Sequence, residues 1–105
     1  MAVPSNCHRR YQISYKGRIR TTGATILSLC YVAAGIATAA LVGRSMVWDI
    51  VPAMALLRNA GAELWDLNAQ VIDVAPLLDP YGGTPAMLAA PREQYHAFRS
   101  VITIR

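Results

Sequence analysis

The sequence predicts an α/β fold, a mixed sheet with helices packed against it, and three observations carry that reading. Tyr11, Ile13 and Tyr15 alternate with Gln12, Ser14 and Lys16, the period of a half-buried strand. Two longer apolar segments each end at a glycine, Ala24 to Ala34 before Gly35 and the run through Asn59 before Gly61, as helices do. At 105 residues, with 54% hydrophobic and 15% charged residues, the chain suits a single small domain over residues 1–105 with its own core.

The elements follow in order. Ala2-Val3 is a strand from the outset, so the chain reads as starting in the middle of a larger fold. Tyr11 to Tyr15 is the second strand, Gly17 a turn, and Ile19 to Thr21 a third short extended piece. Thr21 or Thr22 is the expected N-cap of a helix over Ala24–Ala34, apolar on every side and therefore buried, with Gly35 as its C′ residue. Ile36 to Val42 has the unbroken apolar character of a central strand covered on both faces. After a helix ending at Gly61, Ala62–Leu67 and Gln70–Val74 form a strand pair broken near Asn68. Leu78 to Pro85 is loop, Met87–Ala90 a last strand, and Pro91 opens a helix with Tyr95, Phe98, Val101 and Ile102 on one face.

The hydrophobic fraction is high for a solitary domain, so part of the apolar surface is expected against a partner or a missing domain. The net charge is +4, and half of the 10 Lys and Arg residues (Arg9, Arg10, Lys16, Arg18, Arg20) lie in the first twenty positions. That asymmetry suits anionic ligands or lipid headgroups, or simply a solvated strand face. Tyr11 and Tyr15 stand between basic residues as a stacking platform would, yet strand alternation explains them, and nucleic acid is not an expected partner. Cys7 and Cys30 lack metal-type spacing and read as reduced thiols, Cys30 as a buried small hydrophobe. His8 and His96 are far apart and read as surface residues.

From Thr21 to Gly43 there is no charge, and Arg20 and Arg44 flank a stretch long enough to span a bilayer. Its Ala, Gly and Thr content makes insertion marginal, and Gly35 divides it into a helix-like and a strand-like piece. A soluble cytoplasmic protein without a membrane partner is the expectation, and a single-span membrane protein the alternative. Met1 leads into Ala2-Val3-Pro4-Ser5 with no secretory h-region.

The most informative segment is Val47-Trp48-Asp49-Ile50-Val51-Pro52 through Asn59-Ala60-Gly61. Asp49 stands where an apolar stretch turns into a short helix. One reading makes it the N-cap, with Pro52 in the first turn and Gly61 at C′. The other makes it a hard oxygen ligand for Mg²⁺ at a rigid strand-to-helix junction.

Trp48-Asp49 followed by a helix ending in Asn59-Ala60-Gly61-Ala62 resembles the C-terminal signature of the inositol monophosphatase family, where Trp-Asp begins a helix closing in Glu-Ala-Gly-Gly. Arg20-Thr21-Thr22-Gly23-Ala24-Thr25 and Leu29-Cys30-Tyr31-Val32-Ala33-Ala34-Gly35 are similar to two further family segments, correctly spaced and without a gap. The likeness runs from about residue 2 to residue 102. It implies the C-terminal half of a Mg²⁺-dependent phosphomonoesterase, with a phosphomonoester substrate. Asp49 would be the one metal ligand this half supplies, Trp48 would pack behind it, and Gly23, Ala24 and Thr25 would line the substrate pocket. The family's Glu-Glu pair and Asp-Pro-x-Asp-Gly-Thr segment do not occur here, so a missing N-terminal domain is an expected partner and the chain alone is expected to be inactive. Val42 and Thr38 stand where the family carries an inositol-contacting glutamate and an acidic neighbour, which puts inositol as substrate in doubt. A catalytically silent interaction module or homo-oligomer is the alternative.

Overall fold

A computed structural model describes residues 1–21, 23–43, 45, 47–73 and 85–104, and of Val47 and Asp49 the backbone only. A short helix α1 (Cys7–Arg10) leads into β1 (Tyr11–Ile13); α2 (Thr25–Ala33), β2 (Ala40–Val42) and α3 (Val47–Asn59) follow. Next come β3 (Ala62–Asp66), β4 (Met87–Pro91), a 3₁₀ turn (Arg92–Gln94), α4 (Tyr95–Ser100) and β5 (Ile102–Ile104).

The central sheet has the order β2-β4-β3, antiparallel throughout, with Leu41 opposite Leu88 and Trp65 opposite Leu88 across β4. Isolated bridges widen it. Ala2 pairs in parallel with both Ala40 and Arg20, its N–H donating to the Ala39 carbonyl (2.9 Å) and its carbonyl accepting from Leu41 (2.8 Å). β2 thus lies between Ala2 and β4, and it is buried on both faces because α2 and α3 cover one side of the sheet while α4 and the β1-β5 ribbon cover the other, which bears out the covered-strand reading, although the strand is shorter than predicted. The expected strand at Ala2-Val3 reduces to this bridge.

Strand alternation divides the core in two. Ala40, Val42, Leu64, Met87 and Ala89 face one way and pack with Leu29 and Val32 of α2 and Ile50, Met54 and Leu57 of α3. Leu41, Trp65, Leu88 and Ala90 face the other, against Tyr11, Tyr95, Phe98 and Ile102. The result is three layers: two helices, the sheet, and a cover of α4 with the antiparallel β1-β5 ribbon. Leu29, Ile50 and Leu57 are wholly buried, each contributing about 1.5–3 kcal/mol.

Several predicted details change. The uncharged stretch from Thr21 divides at Gly35 (φ +76°) into α2 and β2, as the glycine implied. Gly35 N–H donates to Val32 and Ile36 N–H to Tyr31, the paired bonds of a Schellman stop. No helix among the described residues is long and apolar enough to cross a membrane. Ala24, not Thr21 or Thr22, occupies the N-cap of α2. The helix is not buried all round: Ser28, Leu29 and Val32 face inward while Ile26 and Leu27 are exposed, because only one sheet face and α3 pack against it. Cys30, expected to be buried, is half-buried, and Cys7 is the buried cysteine. The predicted final helix stops at Ser100, and Ile102 enters β5, where it pairs with Ile13.

Of the strand pair predicted around Asn68, the first member forms β3, while the second reduces to an isolated antiparallel bridge between Val71 and Trp65, with Ile72 N–H donating to Leu64 O (2.9 Å). Asp66 Oδ1 accepts from the backbone N–H of Asn68 (2.8 Å) and Gln70 (3.0 Å), while Ala69 takes φ +68°. The buried Tyr95 hydroxyl closes this turn, donating to Asp66 O (2.7 Å) and accepting from Ala69 N–H (2.9 Å). Val74 and the loop from Leu78 to Thr84 lie outside the described residues.

Candidate functional site

The starts of α2 and α3 lie side by side beyond the end of β2. Gly23 (φ +79°) turns the chain into α2, and an added Cβ there would meet open space, so its value is conformational. Ala24 follows in an extended conformation at the N-cap and makes no side-chain cap hydrogen bond of its own. Alanine is a poor cap, and the N-terminal end of a helix favours an anion.

Gly23, Ala24, Thr25 and Ser28 line one wall of a cavity of about 190 Å³; Leu41, Val42 and Gly43 form another, and Val3, Pro4 and Ser5 the third. The three residues expected to bind substrate therefore share one cavity. Val42 joins them there, as its placement at a substrate-contacting position implied, but only 2% of it is exposed and it belongs to the apolar core. Thr38 is exposed and does not line the cavity.

Thr25 Oγ1 lies 3.2 Å from Ser45 Oγ, two residues before α3 begins. This hydroxyl pair ties the two helix starts together. Ser45 escaped the sequence reading, although a serine shortly before an apolar helix is a recognisable start signal.

Asp49 is the third residue of α3. Its backbone is already helical, so it does not occupy the capping position; a carboxylate in the first turn complements the helix dipole instead. Its side chain lies outside the described residues, and its role as a metal ligand is untouched by the backbone geometry. Pro52 sits deeper in α3 than a first-turn proline, opposite the Trp48 carbonyl it cannot satisfy. Trp48 is 62% exposed, so it does not pack within this chain as the resemblance implied. Among the described residues no three His, Cys, Asp or Glu side chains come together to hold a metal, so they do not by themselves fit Mg²⁺.

Solved structures of inositol monophosphatases share this arrangement of layers. Those from Thermotoga maritima (20% identical, TM-score 0.65, covering 80% of this chain and 30% of that one) and Anabaena (22%, 0.64, 79% and 30%) share the fold. So does the Staphylococcus aureus type II enzyme (18%, 0.65, 78% and 28%). The model of the inositol monophosphatase family matches residues 3–101, and the chain belongs to that family. Among curated proteins, Nus factor SuhB of Xylella fastidiosa is 35% identical over 85 residues, 80% of this chain. The chain spans about 30% of the length of that relative.

Proposed function

We propose that this chain is the C-terminal half of a Mg²⁺-dependent phosphomonoesterase, contributing one metal ligand and part of the substrate pocket. The observation that carries the reading is the shared cavity. Gly23, Ala24 and Thr25 line it at the start of α2, and the Thr25–Ser45 hydroxyl pair holds it against the start of the helix that bears Asp49.

In this reading the first-turn amides of α2 and the Thr25 hydroxyl donate to the ester's oxygens and orient it. Asp49 supplies one oxygen ligand, and the remaining carboxylates come from an N-terminal domain bearing the Glu-Glu and Asp-Pro-x-Asp-Gly-Thr motifs. Bound Mg²⁺ supplies charge neutralisation and an activated water in such sites. The exposed Trp48, Val51 and Leu56 along α3, with Ile26 and Leu27 on α2, suit coverage by that domain. Val42 cannot accept hydrogen bonds from ring hydroxyls, so inositol is not the favoured alcohol. The protein acts in the cytoplasm.

Reconstitution tests this. The chain is mixed with a polypeptide carrying the family's upstream half, and Mg²⁺-dependent release of p-nitrophenol from p-nitrophenyl phosphate is followed. Hydrolysis by the mixture and by neither part alone is the expected result. No complex, or a complex with no Mg²⁺-dependent hydrolysis, refutes the proposal.

A further inference from the structure

A cavity of about 560 Å³ opens between the segment Arg18–Thr21 and α2, and it shares no lining residue with the cavity at Gly23–Thr25. Arg18 and Arg20 are two apart in an extended segment that pairs with residues 1–3. Arg20 N–H donates to the Met1 carbonyl (3.0 Å), and the Arg20 carbonyl accepts from Val3 (2.8 Å). Alternation puts both arginines on the cavity side, while Ile19 between them lines a different cavity with His8 and Gln12. Leu27 and Tyr31, four apart on α2, supply the opposite wall, with Ile36 and Ala37 beyond Gly35. The Tyr31 carbonyl accepts from the N–H of both Ile36 (2.9 Å) and Ala37 (3.0 Å), which holds that wall in place.

The two walls differ in character. Leu27 and Ile36 are apolar yet exposed, no described Asp or Glu lines the cavity, and neither arginine forms an ion pair among the described residues. A mostly apolar concavity of this size with a few placed polar groups is the form that small-molecule sites take, and here those groups include two cations. The complementary ligand has an anionic head and an apolar tail. A bilayer would need a broad basic face, but Arg9 and Arg10 lie on α1 and do not line the cavity. We propose that this cavity binds a single-chain aliphatic carboxylate as a free monomer, its head held by Arg18 and Arg20 and its tail laid against Leu27, Tyr31 and Ile36. The planar guanidinium fork matches the two oxygens of a carboxylate, and the tail covers apolar surface that otherwise meets water.

Titrating the ¹⁵N-labelled chain with octanoate, acetate and octan-1-ol, at fixed pH and ionic strength, tests this. Octanoate should shift the amides of Arg18 to Arg20, Leu27, Tyr31, Ile36 and Ala37. It should bind about tenfold tighter than octan-1-ol, which lacks the charge, and than acetate, which lacks the tail. The double variant Arg18→Gln with Arg20→Gln should lose the advantage over octan-1-ol; Arg9→Gln with Arg10→Gln, the same charge loss on α1, should keep it. Ile36→Ser, at an exposed position, tests the tail separately and should weaken octanoate while leaving acetate unchanged. Equal affinity for octanoate and octan-1-ol overturns the proposal. Equal losses in the two double variants do the same, because they indicate diffuse attraction. So does the absence of any octanoate shift at these amides, whether they respond instead to phosphatidylglycerol vesicles, as a bilayer surface would, or to raised protein concentration, as a contact between two copies would.

Discussion

Replacing Thr25 with valine removes one hydroxyl from the junction of α2 and α3 and changes little else. The two side chains have the same shape and similar helix propensity, so the helical contribution cancels. What is lost is the hydroxyl pair with Ser45, at 3.2 Å longer than the usual O–H···O distance and only partly buried. A typical net hydrogen bond contributes about 0.5–1.5 kcal/mol, and this geometry belongs at the low end, about 0.5–1 kcal/mol. For a domain of this size that is a fall in Tm of roughly 3–6 °C. Urea denaturation of Thr25→Val, Ser45→Ala and the double variant gives the coupling directly; the expected value is about 0.5 kcal/mol with an unchanged m-value. Zero coupling would show that the two helix starts are not joined through these hydroxyls. A loss above about 2 kcal/mol in Thr25→Val alone would show that packing, not the hydrogen bond, dominates there.

Tyr95→Phe should destabilise more, by about 1.5–3 kcal/mol in the same denaturation assay, since it strands the Ala69 N–H and an Asp66 carbonyl that the hydroxyl now joins. Trp48→Ser should change the stability of this chain by less than about 0.5 kcal/mol because the ring is exposed, yet weaken capture of the upstream half in a calorimetric titration; unaltered affinity would remove Trp48 from that interface. In the reconstituted enzyme, kcat/KM measured with substrates in competition should show no preference for inositol 1-phosphate over other phosphomonoesters, because the cavity presents Val42 rather than an acceptor. A strong inositol preference would mean that the strand is misaligned with the family.

Much of the fold was legible because its punctuation is local. Gly35 and Gly61 take the positive φ that helix ends favour, and Asp66, Asn68 and Ala69 make the turn that separates two paired segments. The family resemblance also pointed to Gly23, Ala24, Thr25 and Val42 together, and they line one cavity. What was missed depends on contacts distant in sequence. Nothing local marks Ile102–Ile104 as a strand, since its partner is β1 at the other end of the chain. Burial was misjudged where composition stood in for geometry, since α2 is apolar all round but has neighbours on one side only, and the packing of Trp48 that the resemblance implied is not made within this chain, where the ring is exposed. Arg10 stood out in the sequence only as one of a basic cluster, because the cavity it shares with Thr25 arises only when Pro4, Gly43 and α1 are assembled.

Asp49 is where the account is tested most directly. As the third residue of α3 its charge complements the helix dipole, so Asp49→Asn should lower the stability of the chain by no more than about 0.3–1 kcal/mol, with its circular dichroism spectrum preserved. In the reconstituted enzyme the same substitution replaces an anionic ligand by a neutral amide, and Mg²⁺-dependent hydrolysis of p-nitrophenyl phosphate should fall on the order of 100-fold or more. A folded Asp49→Asn enzyme that hydrolyses the ester at the unsubstituted rate would contradict the assignment and leave Asp49 with its helix-stabilising role alone.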